Sequence, residues 1–448
     1  MKVGLATVDV TPPAGLPMMG NFRDDYAARG VHDPLHAKAL VLADCLAEKA
    51  AILSVDVCML DRDNVALIRR TVAAQCDVPP EHVLVHATHT HSGPATNERY
   101  SFGMDFAPHR TDVEQLLVKA ASAVALANNH LADATLAIGY AREDRLAFNR
   151  RLRRKEGSTQ MNWEALSPGF DPSRIEAPWG PTDPEVACLA VEQSGRPTAA
   201  VVNFALHPAI LAGDNWLYSA DYPGYVAEAL ARTLGREFTC VYLNGCCGNV
   251  NHIDYRDPLQ GRGYPMAQRV GYMLAAAACQ AIHARVPVMG DRIAVSRKTV
   301  SLPRIQIDRK EQQRCRRVLK EASRGPLQGQ VDGLPDAFFA DLRLKMAAQQ
   351  QAPDEVEVMV LRIGEVGVVG LPGENFCESG LELKRGSPTR HTLTAGLAND
   401  AIGYLPRREA FQQGGYEPTV GSTAYEPGAA ERLVEAAAVQ LDRLFVVR

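Results

Sequence analysis

No stretch of this sequence is apolar for long enough to cross a bilayer. Runs such as 366–371 are short, and a spanning helix needs about 20 apolar residues. The opening residues, Met1-Lys2-Val3-Gly4-Leu5-Ala6-Thr7-Val8-Asp9, lack the apolar core and small-residue cleavage site of a secretory signal. A charge excess is missing too. Lys and Arg number 48 against 52 Asp and Glu, for a net charge of −4, so nothing points to nucleic acid or an anionic membrane as a partner. The ten cysteines are scattered, and no pair has zinc-finger spacing. With 448 residues, 46% hydrophobic and 22% charged, the chain has no need of a disulfide scaffold. Cys58, Cys188 and Cys240 sit in apolar runs and read as small core residues. Together these absences give the expectation of a cytoplasmic chain without membrane insertion. No repeat, low-complexity stretch or linker interrupts the sequence, so residues 1–448 are expected to form one body.

What is present is an α/β pattern. Apolar runs at 51–59, 82–89, 134–140, 186–191, 199–206 and 239–243 read as strands. Between and after them, 61–76, 112–127, 221–234 and 265–284 carry helical spacing. Beyond residue 285 the pattern predicts a strand at 292–302 and a hairpin over 355–371. A helix is expected at 376–384, a strand at 391–397 and a last helix at 429–445. Polar helices at 308–323 and 337–350 flank a Gly/Pro-rich loop, 325–335, and mark a helical insert near 308–350. The expectation is a mixed-sheet body with helices around it.

Four of these runs end in metal-competent residues. The first is Val85-His86-Ala87-Thr88-His89-Thr90-His91-Ser92-Gly93-Pro94. Alternate residues on a strand share a face, and neutral imidazole is a common metal ligand, so His89 and His91 are expected to point into one pocket. The second run ends Asn203-Phe204-Ala205-Leu206-His207-Pro208, where the proline holds His207 extended. Glu374 follows a tight turn in Leu371-Pro372-Gly373-Glu374. The last run leads through Asn399-Asp400 to Gly403-Tyr404, with Tyr416 and Tyr425 in the Gly-rich stretch beyond. Taken singly, each residue has an ordinary structural role. Taken together, two histidines, a glutamate and a tyrosine suit zinc with a position left open for water. The strand ends are where such a site is expected in an α/β sheet.

These blocks also carry a resemblance. The opening Asp9-Val10-Thr11-Pro12-Pro13, then Met18-Met19-Gly20, the His-Thr-His-Ser-Gly-Pro segment at 89–94, and the three later motifs occur in order. The series closes with Tyr416-Glu417. It resembles the neutral/alkaline non-lysosomal ceramidase family of zinc hydrolases. The resemblance implies one Zn2+ per chain, held by His89, His207, Glu374 and Tyr404. It implies His91 as a substrate-facing histidine, and Arg150, in Phe148-Asn149-Arg150, as a residue lining the site. It places Tyr416 to polarise the scissile carbonyl. Those roles agree with general chemistry, since Tyr and Arg can donate to an oxyanion and His91 can move protons.

The departures from the family pattern redirect the reading. Where the family has Gly-Asp-Val-Ser-Pro, this chain has Gly248-Asn249-Val250-Asn251-His252. Asn251 takes the serine's place and cannot form a covalent intermediate, so activated water is expected to act directly. The family's larger members carry a C-terminal β-sandwich domain and a secretory signal, and neither is expected here. The expectation is therefore a zinc-dependent amidase acting on the N-acyl bond of a soluble small molecule. An esterase or lactonase on the same site is an alternative, as is a non-catalytic relative that only binds. Keeping His91, Arg150 and Tyr416 argues against the last. Asp221 is expected either to orient a metal ligand or to cap the helix at 221. Asn251 and Tyr425 are further candidates to line the site. His32 and His36 can serve the pocket or a local turn, and Cys246-Cys247 a packed turn or a redox pair. Substrate choice rests with loops 95–111, 153–183 and 303–350, with Tyr100, Phe102, Phe106, Trp163, Phe170 and Trp179 as candidate lining residues.

Overall fold

The structure, a computed structural model, describes residues 1–446 apart from 24, 99–104, 258, 323–329, 332–333 and 350–351. Its larger sheets repeat one topology three times. In the first, strands Lys2–Asp9, His36–Ala43 and Lys49–Val55 are antiparallel neighbours, and Val83–Ala87 adds parallel to the third. Helix Arg62–Gln75 makes that parallel crossover, and helix Arg110–Asn129 follows. The second sheet runs Thr135–Arg142, Glu185–Gln193, Arg196–Phe204 and, parallel to it, Thr239–Asn244. Its helices are Asp221–Leu234 and Tyr264–His283. The third runs Ile293–Leu302, Asp354–Ile363, Val366–Gly370 and, again parallel, His391–Ala395, with helices Cys377–Gly386 and Ala429–Phe445.

Local chemistry accounts for these elements. Asp61 accepts from the backbone N–H of Asn64, whose side chain returns the bond to Asp61, so the first helix starts in a capping box. Its Val65, Ile68 and Val72 then face inward. The first two sheets also share a packing device. A Cβ on Gly4 would lie 1.8 Å from the carbonyl oxygen of Ala127, and one on Gly139 would lie 1.9 Å from that of Ala281. Each glycine lets the end of a helix rest on the first strand of its sheet.

Apolar residues from all three sheets meet in one central cluster. Leu40, Ile52 and Leu84 come from the first, Leu189, Val201 and Val241 from the second, and Met359, Leu361 and Leu393 from the third. The helices cover the outer faces. Among the described residues, no helix is long and apolar enough to cross a membrane.

The expected strands and helices are found close to their expected bounds. The strand before the His-Thr-His segment is the informative exception. It ends at Ala87, and His89 lies beyond it with φ of +73°. Strand alternation therefore does not bring His89 and His91 together; a turn with a left-handed residue does. Strands Lys2–Asp9 and His36–Ala43 were not among the expected ones, nor was the small sheet of Arg151–Arg154, Thr159–Met161 and Ile175–Pro178. Helices Arg309–Ala322 and Asp336–Ala348 form the insert. Most of the loop at 325–335, and Tyr100 and Phe102, lie outside the described residues.

Candidate active site

The site lies where the three central parallel pairs end. Residues after the fourth strand of the first sheet supply His89 and His91. Residues after the third strand of the second supply His207, and those after the third strand of the third supply Glu374. Glu374 pairs with Tyr404 in a short parallel bridge, so these two side chains leave adjacent positions. In each sheet the first and second strands are joined by a long excursion, and all three excursions return over the site. They bring Asn21 and Phe22, then Arg150 and Trp163, then Phe338 to its wall.

The imidazoles are oriented from behind. His89 Nδ1 lies 2.6 Å from the carbonyl oxygen of Cys58, and His207 Nδ1 lies 3.3 Å from that of Cys247. His91 Nδ1 lies 3.3 Å from Asn21 Oδ1. Donation to these acceptors fixes the proton on Nδ1 and leaves an Nε2 lone pair facing forward. The lone pairs converge. His89 Nε2 is 3.0 Å from His207 Nε2 and 3.3 Å from His91 Nε2. Glu374 Oε2 is 3.3 Å from His89 Nε2 and 3.6 Å from His207 Nε2, yet it is buried without a hydrogen bond.

Acceptors do not gather this way without a shared cation. His89, His207 and Glu374 have ligand atoms that all lie within 4.8 Å of one another, whereas His91 groups only with Cys58 and His89. The donor set of two imidazoles and a carboxylate fits a divalent metal. Burial, and then the charge on His89, push His91 and His207 well below the ordinary imidazole range, so both are neutral donors. Burial also opposes charge on His89, but Cys58 and Glu374 outweigh it and push that imidazole up to about 10. A metal ion bound between these groups would take the place of that proton.

Arg150 and Tyr416 form the neighbouring wall. Arg150 donates from Nε to Glu417 Oε1 at 2.6 Å, and Arg151 donates from Nη1 to Glu417 Oε2 at 3.0 Å. Arg150 Nη2 is buried without a hydrogen-bond partner. The Arg150 guanidinium lies 5.3 Å from the ring centres of Trp163 and Tyr404 and 5.8 Å from that of Tyr416. Burial, then the nearby Glu374 carboxylate, hold the Tyr404 phenol well above its ordinary range.

Asn251 sits on the same cavity, and its amide exchanges two hydrogen bonds with Asn162, at 2.7 and 2.8 Å. Asp221 does not touch an imidazole. Its carboxylate accepts the backbone N–H groups of Ile210 and Leu211, both at 3.0 Å, and so shapes the loop that follows His207. The residue before the helix is Ala220, without a side-chain cap. Tyr425 is a correction: it is fully buried away from the site, donating to Asp354 Oδ2 at 2.7 Å. The chain from Tyr404 turns back into the third sheet's core before reaching it. His32 stacks on Tyr264 at the surface and His36 starts a strand, so neither lines the cluster. Cys246 and Cys247 are buried, and burial raises both thiols, Cys246 to about 12. A reactive redox pair needs the opposite shift.

Sequence reasoning gave no role to Glu417, Asn21, Asn162 or Phe338. Glu417 was visible only as the neighbour of Tyr416; its burial against two arginines has no local signature.

Residues 1–240 match the family described as neutral/alkaline non-lysosomal ceramidase, N-terminal. The chain belongs to this family. Neutral ceramidase B of Dictyostelium discoideum is 25% identical over 240 residues, covering 50% of this chain and 31% of that protein. The match thus spans about a third of that relative's length. Neutral ceramidase of Mycobacterium tuberculosis is 24% identical over 95% of this chain and 74% of its own. The crystal structure of neutral ceramidase from Pseudomonas aeruginosa superposes with a TM-score of 0.76 at 19% identity, over 100% of this chain and 75% of that one. A structure described as ceramidase complexed with C2 gives 0.74 at 19% identity, over 100% and 76%. The mixed α/β fold with its several mixed sheets is therefore that of the neutral ceramidases.

Proposed function

We propose that this ceramidase-family chain is a zinc-dependent hydrolase that cleaves the amide bond of an N-acyl small molecule. The observation that carries the reading is the convergence of His89 Nε2, His207 Nε2 and the unbonded Glu374 Oε2 beside a cavity walled by His91, Arg150 and Tyr416. In this reading His89, His207, Glu374 and Tyr404 hold the metal. When bound, zinc supplies Lewis-acid polarisation and a water nucleophile usable at neutral pH.

The remaining residues handle the carbonyl and the leaving group. Tyr416 and Arg150 donate to the oxygen as it gains charge, which is worth most in a buried site. Glu417 fixes Arg150 for that task. His91, held by Asn21 through Nδ1, has Nε2 available to take a proton from water and pass it to the departing amine. An amine needs that proton and an alkoxide leaving group does not, so His91 favours amide over ester substrates. Asn251 is engaged with Asn162 and has no nucleophilic atom; water attacks directly.

The test is a screen of short N-acyl amines, esters and lactones with zinc-loaded protein. Hydrolysis of N-acyl compounds that stops on chelation and returns with zinc is the expected result. Hydrolysis indifferent to chelation, or confined to esters and lactones, contradicts the reading.

A further inference from the structure

The cavity next to the metal-competent cluster has a one-sided charge. It has a volume of about 310 Å3, at the small end of ligand pockets. Among the described residues that line it there is no Asp or Glu, while Arg150 and Arg262 do line it, beside His91, His207 and His252, whose imidazoles burial holds below their ordinary range and therefore neutral. Behind the wall, two guanidinium groups, Arg150 and Arg151, share the single Glu417 carboxylate. That trio leaves one net positive charge buried at the cavity. Two buried polar atoms here have no protein partner: Arg150 Nη2 and His252 Nδ1. Both residues are more than nine-tenths buried. A buried donor left unpaired costs about 1–3 kcal/mol, and more beside a charge. Arg262 also lines the cavity. Its ion pair with Asp214, at 3.0 Å, joins two mostly exposed side chains, a pairing weak enough to yield to a ligand. The apolar walls, Trp163, Leu166 and Phe338, suit a short hydrocarbon rather than a second charge.

We infer that the preferred substrate is an anionic N-acyl compound of the N-acyl amino acid type, its carboxylate recognised by Arg262 and His252 in this cavity. This rests on the amidohydrolase reading above and names its substrate class. A neutral lipid amide would leave the surplus positive charge and His252 Nδ1 without partners. A carboxylate on Arg262 and a His252 protonated at Nδ1 gives that atom a partner, brings a negative charge into the cavity, and leaves Arg150 and Tyr416 for the scissile carbonyl.

Two comparisons separate this inference from the reading it rests on. The first uses an uncleavable pair on zinc-loaded protein: 4-oxononanoate and its primary amide, in which a methylene replaces the amide nitrogen of hexanoyl-glycine. Calorimetry should show the carboxylate binding at least about tenfold tighter, a difference of about 1.4 kcal/mol. The double substitution His252→Ala with Arg262→Gln should bring that ratio close to one. Equal binding of the two compounds to the wild type overturns the inference. So does a preference that survives the double substitution, since the carboxylate would then be held by the metal. The second comparison is hydrolysis of hexanoyl-glycine and hexanoyl-glycinamide. A higher kcat/KM for the acid is expected. Faster turnover of the amide overturns the inference, and turnover of neither contradicts the amidohydrolase reading while the binding result still decides the charge preference.

Discussion

Arg150 and Arg151 are neighbours in sequence, and both reach the same carboxylate, that of Glu417, which is completely buried. The pair point to one anion because the chain between Asn149 and Arg151 leaves a two-residue strand for the small three-stranded sheet. Arg151 anchors the anion, with further bonds to Gln413 and Gly414. Arg150 is thereby held at the cavity wall.

Removing that anion should therefore be costly. Glu417→Gln leaves two buried guanidinium groups without a counter-charge, and breaking such a pair costs about 3–5 kcal/mol. Urea denaturation should show the loss, with the metal content of the folded fraction unchanged. A variant as stable as the wild type would mean that solvent, not Glu417, neutralises Arg150 and Arg151.

In the proposed mechanism Tyr416 and His91 act on bonds that strengthen in the transition state. Tyr416→Phe and His91→Ala are each expected to lower kcat by roughly 10²–10⁴, with KM little changed and zinc retained. His91 belongs outside the His89–His207–Glu374 cluster; loss of metal from His91→Ala would move it inside. Full kcat in either variant would remove that residue from the chemistry.

Asn251 should behave as a structural amide. Its two bonds with Asn162 are reciprocal, so Asn251→Ala strands a buried partner and should lower activity by about 10–100-fold, equivalent to about 1.4–2.7 kcal/mol. Mass spectrometry of the enzyme during turnover should find no covalent adduct on residues 244–252. An acylated peptide from that segment would overturn direct attack by water.

Acid should destabilise the fold through His86 independently of the metal. This imidazole is fully buried, bonded to Ser54 and accepting from the Asn244 backbone N–H. Burial lowers it to about 3. The unfolded chain takes up a proton below about pH 6.5 while the folded one does not, so the stability contribution is present above 6.5 and is lost as pH falls towards 3. In chelator-treated protein, the fall in stability between pH 6.5 and 4 should be shallower for His86→Gln than for wild type. Equal slopes would place the acid sensitivity elsewhere.

Much of this was legible because regular elements have local signatures. Val65, Ile68 and Val72 announce a helix, and the apolar strands end where the site begins. His207 and Glu374 could be read as strand-end residues for that reason. The pairing of His89 with His91 does not follow from strand alternation: the left-handed turn at His89 is held by bonds from the His89 N–H to the Val57 carbonyl and from the His91 N–H to the Pro208 carbonyl, both just past the ends of other strands. The threefold repetition of sheet topology has no sequence signature, because the units share strand order, not residues. Glu417 and Asn162 read as polar loop residues, since burial by distant chain is invisible locally. Tyr425 shares its Gly-rich surroundings with Tyr416, and only tertiary packing separates the one in the core from the one at the site.

The central claim is that His89, His207 and Glu374 hold one metal ion. Its most direct test is elemental analysis of purified wild type beside His89→Ala, His207→Ala and Glu374→Gln, each checked for native secondary structure by circular dichroism. The expected result is about one zinc per wild-type chain and little or none in the three folded variants. Stoichiometric zinc retained in all three, or a zinc-replete wild type impossible to obtain, would contradict the account.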